Sequence, residues 1–232
     1  MNEKKVNSKK KLKKIGEVIL IIMIVFLIEY SGMVVYRYAT LGKIYDKSKK
    51  YENIQNIYIE EVKISRNENK QRKVENAKYW YKDNILKTEI DIQEEESYKI
   101  HTWMDFQKAE GYILVEKGEN KTGTKVEGQE IYKRIKEGKI IEYLNGSQVN
   151  FSENKFSDAI KLISMRITTD ENYSYVIQKN MASIYDIETG LLVGKKMNVG
   201  NNEYINTYYY EIGNVKDEDI TKIDMLEYKI GE

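Results

Sequence analysis

The residues able to do covalent or metal chemistry are few. The 232-residue chain has one histidine, His101, and no cysteine. That excludes a thiolate metal site, a cysteine nucleophile, a disulfide framework, a lipid-bearing N-terminal cysteine and any two-histidine acid/base pair. His101 stands beside Trp103 on the polar parity of an alternating segment. A histidine acting as base or ligand needs partners within reach, and the spacing supplies none, so it reads as an exposed strand residue. The acidic run Glu94 to Glu96 and the pair Asp217 and Asp219 lack EF-hand spacing. They read as solvated turns, not as calcium ligands or a glycosidase pair. No phosphate loop, no Gly-x-Ser-x-Gly elbow and no dinucleotide fingerprint occurs. The expectation is a non-enzymatic protein with no cofactor and no metal.

Binding chemistry is better supplied. The chain carries 20 tyrosines, four phenylalanines and two tryptophans. Trp80, Trp103, Phe106, Tyr208 and Tyr210 are candidates to line an apolar concavity that receives a ligand. The alternative is that the same five form the core between a sheet and a helix.

These aromatics must be positioned by strands. Leu86, Thr88, Ile90 and Ile92 alternate with Lys87, Glu89 and Asp91. Tyr98, Ile100, Thr102, Met104 and Phe106 alternate with Lys99, His101, Trp103 and Asp105. Period two with one polar face marks an antiparallel sheet covered on one side. Ile57 and Ile59 share one parity and Val62 and Ile64 the other, which predicts a bulge near Glu60 and Glu61. Tyr112 to Val115 reads as a more buried strand. Further strands are expected over 140–144, 173–177, 183–187, 191–197 and 204–212. Turn signals at Lys82-Asp83-Asn84, Glu137-Gly138, Asn145-Gly146 and Glu188-Thr189-Gly190 separate them. One helix interrupts the series, with Phe156, Ala159, Ile160, Ile163 and Ile167 on one face, and 220–228 supplies a short closing segment.

The N-terminal part is different in kind. Residues 1–50 hold twelve basic and four acidic side chains, a net of +8; the rest holds 26 and 33, a net of −7. Seven lysines lie between Lys4 and Lys14, ahead of an apolar run whose centre, Val18 to Ile28, has no polar side chain. Val18 to Tyr36 approaches the ~20 residues that span a hydrocarbon core as a helix. Val18, Ile22, Phe26, Ile28 and Val35 are the expected lipid-facing anchor residues. Glu29 interrupts the run, at about +3 kcal/mol against about −0.3 to −0.6 for each apolar residue, so insertion stays favourable. A cleaved signal peptide is the competing reading, but Ser31 and Gly32 do not form an Ala-x-Ala-like site. The lysines place residues 1–14 in the cytoplasm by the positive-inside rule, with a spanning helix over 15–37 and an extracytoplasmic domain over 38–232. Without aromatic or arginine interleaving, the lysine tail does not read as a nucleic-acid patch. An amphipathic helix over 38–54, with Leu41, Ile44, Tyr45, Ser48 and Tyr51 on one side, leaves the membrane.

Several local patterns are shared with a known family. The stretch from Trp80-Tyr81-Lys82-Asp83-Asn84 to Lys87-Thr88-Glu89 is an aromatic strand, a turn and a basic-x-acidic return. Glu137-Gly138-Lys139 leads to Tyr143, Asp186-Ile187-Glu188-Thr189-Gly190-Leu191 forms a hairpin turn, and Val215 to Ile220 makes an acidic ending. With the order of elements, these make the region from Leu41 to Ile230 resemble the lipoprotein-carrier superfamily, the LolA/RseB-like fold. The resemblance implies an open, incomplete barrel whose apolar concave face takes acyl chains or a partner peptide. Lys87 replaces the family's strand arginine, and the turn proline is missing. Those departures, and an anchor on a molecule that would have to diffuse, argue against shuttling of lipoproteins.

The expected fold class is mainly β (α+β): an N-terminal transmembrane helix, then an antiparallel incomplete β-barrel with one or two packed helices. The expected function is a membrane-anchored binding protein for a lipid, a lipoprotein or an envelope protein. The alternative is a structural or signalling subunit of an envelope complex. Its partners are the bilayer and one of these ligands, not nucleic acid.

Overall fold

The computed structural model describes residues 2–51, 54–69, 71–94, 96–128 and 162–231. The expected strand over 140–144, its flanking turns, and Phe156, Ala159 and Ile160 lie outside the described residues. The chain divides into two compact units: residues 1–42 with 150–164, and residues 43–149 with 165–232.

The apolar run and the amphipathic stripe after it form one continuous helix, α1 (Asn2–Lys49), not two. No proline breaks it, and a lone glycine such as Gly32 or Gly42 costs only ~1 kcal/mol in a helix interior. It ends at Lys49, short of the expected Ile54, where the Tyr51 amide turns back onto the Ser48 carbonyl at 2.9 Å. Its segment from Lys14 is long and apolar enough to cross a membrane. Within the first unit, Arg37 donates to the carbonyls of Leu162 (2.6 Å) and Ile163 (3.0 Å).

The second unit is built on one twelve-stranded sheet. Its strands are β1 (Asn56–Arg66), β2 (Arg72–Lys82), β3 (Ile85–Gln93), β4 (Tyr98–Asp105), β5 (Glu110–Lys117) and β6 (Asn120–Glu127). Then come β7 (Met165–Thr169), β8 (Tyr173–Gln178), β9 (Met181–Asp186), β10 (Leu192–Val199), β11 (Asn202–Ile212) and β12 (Lys229–Gly231). The order β12-β6-β5-β4-β3-β2-β1-β11-β10-β9-β8-β7 leaves the sheet open. Neighbours are antiparallel except β12, which lies parallel to β6 over three residues. Ile163 is helical as expected, but Ile167 belongs to β7, where it faces Val176.

Turn chemistry explains the hairpins. Asp83 and Asn84 both have positive φ, 48° and 67°, as a two-residue type I′ loop between β2 and β3 demands. Gly190 has φ +73° and closes the β9–β10 turn. A Cβ there would lie 2.4 Å from the Ile44 carbonyl oxygen of α1, so only glycine lets helix and turn meet.

β1 holds an unbroken register with both neighbours, so the bulge expected near Glu60 and Glu61 is absent. The parity of Ile57 and Ile59 simply continues, and it carries Glu61 and Lys63 inward. This core face gathers Ile57, Ile59, Ala77, Tyr79 and Leu86, with Tyr81, Phe106, Tyr208 and Tyr210 against them. The reverse face carries the other parity. One row of it runs across six strands through Leu114, His101, Glu89, Lys78, Glu60 and Tyr209. At one end of that row Leu114 is completely buried; at the other Tyr209 is 55 % exposed.

Burial at the Leu114 end comes from the C-terminal segment. Ile223, Met225 and Tyr228 pack on Trp103, Tyr112 and Leu114. Trp103 Nε1 donates to the Ile220 carbonyl at 2.9 Å, and the Lys222 ammonium lies 5.3 Å over the Trp103 ring and 4.6 Å over that of Tyr112. The expected closing segment over 220–228 is therefore a cover for the reverse face. Gly123 makes room for it, since a Cβ there would meet Ile230 Cδ1 at 2.5 Å.

Candidate functional site: a tyrosine-lined hollow where two strands part

β10 and β11 pair only from Gly194 opposite Thr207 to Val199 opposite Asn202. Toward the other end β10 shifts register between Leu192 and Gly194, whereas β11 runs on to Ile212 in register with β1 alone. The two strands therefore separate, and a hollow of about 530 Å³ opens between them. Leu191 and Val193 stand on one side, with Tyr208, Tyr209, Tyr210 and Ile212 on the other. Tyr173, Tyr175 and Ile184, on the reverse face of β8 and β9, extend the lining. Gly194 faces Ile184, and a Cβ at 194 would come 3.2 Å from Ile184 Cδ1, so the glycine leaves room for that lining side chain.

The rim is acidic. Asp186 and Glu188 belong to the lining, which contains five tyrosines and no lysine or arginine. Asp186 Oδ1 accepts from the Thr189 amide (2.7 Å) and hydroxyl (2.6 Å), which locks the turn. Glu188, beside it, is exposed. Glu211 Oε1 accepts from the Tyr209 hydroxyl at 3.0 Å. Tyr210 donates to the Leu192 carbonyl at 2.6 Å and so bridges the gap. Its burial, with Tyr208 and Glu61 nearby, pushes the phenol well above its ordinary range, so it is a neutral donor at any physiological pH.

The same turn touches the helix. Lys47 of α1 donates to the Ile187 carbonyl at 2.5 Å, and Gly190 abuts the backbone of Ile44 and Ser48.

The five aromatics singled out in the sequence are divided between the two faces. Trp80 and Trp103 are on the reverse face: Trp80 sits 5.4 Å from the Tyr58 ring with the Lys87 ammonium 5.5 Å above it, and Trp103 is under the C-terminal segment. Phe106, Tyr208 and Tyr210 pack with the core face. Of the five, Tyr208 and Tyr210 line the hollow. Tyr173, Tyr175, Tyr209 and Ile184 were not anticipated there. The available signal was parity, since Tyr173 and Tyr175 alternate with the buried Ser174 and Val176. The anchor residues Val18, Ile22, Phe26, Ile28 and Val35 all lie on α1 and all expose their side chains.

His101 is half-buried rather than exposed, with Nε2 3.9 Å from Glu116 Oε2. The other oxygen of Glu116 accepts from the Tyr228 hydroxyl at 2.5 Å. That bond, aided by His101 and Lys121, outweighs desolvation and holds the Glu116 carboxyl below its ordinary range. The acidic turns are engaged as solvated ion pairs: Glu94 with Lys73, Glu96 with Lys117, and Asp217 with Lys82 at 2.5 Å. Among the described residues no group of three His, Asp or Glu side chains could hold a metal.

Glu61 is a polar group in the middle of the core face. It is 1 % exposed and receives the Asn206 amide at 2.9 Å, the Tyr79 hydroxyl at 3.2 Å and the Lys63 ammonium at 3.3 Å. Burial would depress the Lys63 pKa, but Glu61 and Glu75 together outweigh it and raise it. The cluster is a buried carboxylate satisfied by three donors, one of them a partly exposed ammonium.

No protein-family model matches the chain, and no curated protein matches it. Among solved structures the chain is similar to a LolA superfamily protein from Nitrosomonas europaea. The identity is 10 % and the TM-score 0.33, covering 77 % of this chain and 96 % of that one.

Proposed function

We propose that the chain is a membrane-anchored, non-enzymatic binding protein. Residues 1–14 lie in the cytoplasm, α1 crosses the bilayer, and the sheet stands outside, offering an apolar surface to a lipid, a lipoprotein or an envelope protein. The observation that carries this reading is the tyrosine-lined hollow between β10 and β11, which is large, mostly apolar and bordered by a few polar groups. The charge split between the N-terminal part and the rest supports the orientation.

The test has two parts. Protease added to intact cells should digest the C-terminal bulk; protection until lysis would overturn the topology. Full-length protein in nanodiscs should take up a fluorescent fatty acid or retain one envelope protein after cross-linking. Neither outcome, in repeated assays, would remove the binding reading.

A signalling subunit is the second reading. It is favoured by the turn from Asp186 to Leu191, which borders the hollow and also grips α1 through Lys47, Ile44 and Ser48. Cross-linking to one dominant membrane partner with no bound lipid would select it.

A further inference from the structure

Beyond Tyr208, β11 offers a strand edge inside the hollow. From Tyr209 to Ile212 its register is with β1 alone, and β10 has moved aside. An extended chain laid along such an edge completes the ladder with its own main chain and alternates its side chains between the two faces. The run from Tyr209 to Ile212 is long enough for three or four residues, roughly 10 Å at about 3.4 Å per residue. A lipid tail would use the apolar walls but not the edge.

The charge of the occupant follows from the lining. Asp186 and Glu188 are at the rim, Glu211 is on the edge strand itself, and no lysine or arginine lines the site. Tyrosine faces beside carboxylates favour a cation over a neutral or acidic group. Lys47, which reaches the neighbouring turn, is held by the Ile187 carbonyl.

We propose that the hollow receives an extended, lysine- or arginine-bearing peptide segment of an envelope protein, added as a strand along Tyr209–Ile212 with its cations toward Glu188 and Glu211. This rests on the binding reading above and names its partner class.

The experiment uses full-length protein in nanodiscs of phosphatidylcholine, whose neutral surface does not itself collect cations. The probe is a fluorescein-labelled eight-residue peptide of alternating lysine and valine, read by anisotropy against empty nanodiscs. Binding is expected, weakened about tenfold or more by N-methylation of alternate amides along one edge, which removes ladder donors but keeps charge and bulk. Glu188→Lys, on an exposed turn, is expected to weaken it about tenfold. Ile184→Lys, which sets a cation in the lining, is expected to abolish it; should that variant misfold, Glu188→Lys still decides. Equal binding of the methylated peptide, equal binding of a glutamate–valine counterpart, or displacement of the probe by choline would each overturn the proposal. Fatty-acid uptake without peptide binding would remove this inference and leave the binding reading standing. Failure to bind fatty acid, envelope protein or peptide would remove both.

Discussion

The two wings of the sheet, on either side of β1, present the same reverse face to opposite fates. In the β3–β6 wing the face is sealed: Trp103, Tyr112 and Leu114 lie under Ile223, Met225 and Tyr228. In the β8–β11 wing no described segment covers it in this way, and Tyr173, Ile177 and Tyr209 are more than a third exposed. Both wings alternate with period two and both are aromatic. The difference lies in the tail, which crosses one wing only. An apolar reverse face is therefore core where the tail covers it and open surface where no described segment does.

The sharpest way to break this contrast is to truncate one residue in each wing on the same row. Leu114→Ala should destabilise the second unit by about 2–5 kcal/mol, through lost burial and a cavity. Tyr209→Ala should change stability by no more than about 0.5 kcal/mol. Thermal unfolding of the two variants in the same detergent checks this, and equal losses would mean that the open wing is covered in solution.

β1, which the wings share, tests whether they stand or fall together. Lys63→Met leaves the carboxylate of Glu61 buried with one cation fewer and should cost about 3 kcal/mol. Glu61→Gln keeps an acceptor oxygen for Asn206 and leaves Lys63 paired with Glu75, but loses the acceptor for Tyr79, and should cost less, about 1–2 kcal/mol. Hydrogen exchange should show losses in both wings for Lys63→Met. A loss confined to one would show that the wings unfold separately.

Smaller changes probe the seal alone. Lys222→Ala removes the cation over Trp103 and Tyr112 and should cost about 0.5–1 kcal/mol. It should red-shift Trp103 emission in a Trp80→Phe background; no shift would show that the tail stays in place without that contact.

The smallest expected effect is that of acid. The folded pKa of Glu116 is depressed, chiefly by the Tyr228 hydroxyl. Its contribution is thus complete above the unfolded value of ~4.3 and is lost as pH falls through the lower folded value. Trp103 emission in the same background should shift only below about pH 4.3. A shift already present near neutrality would show that Glu116 does not control the seal.

How much of this could be read in advance depended on how local the cause was. The β2–β3–β4 hairpins were legible because Leu86, Thr88, Ile90 and Ile92 alternate and because Asp83 and Asn84 suit the turn. β6 was not, for Asn120–Glu127 has a single large apolar residue, Val126, and becomes a strand by pairing with β5. β1 was misread because Val62 and Ile64 take the opposite parity to Ile57 and Ile59, whereas the core side there goes on to Glu61 and Lys63. The partners of that acid, Tyr79 and Asn206, lie 18 and 145 residues away. The split of the five aromatics could be followed from parity up to Trp103. Its cover arrives from Ile220, 117 residues later, and no local pattern announces it.

The Glu61 cluster bears also on misfolding. A β1 displaced by two positions would keep every greasy side chain on its proper side, so oil alone discriminates poorly against it. Such a slip would carry the carboxylate away from Asn206 and Tyr79 and set Ile59 or Lys63 in its stead. An orphaned buried charge is among the costliest faults a sheet can harbour. A single acid thus works as a registration key, rejecting near-miss alignments while the chain is still choosing its neighbours.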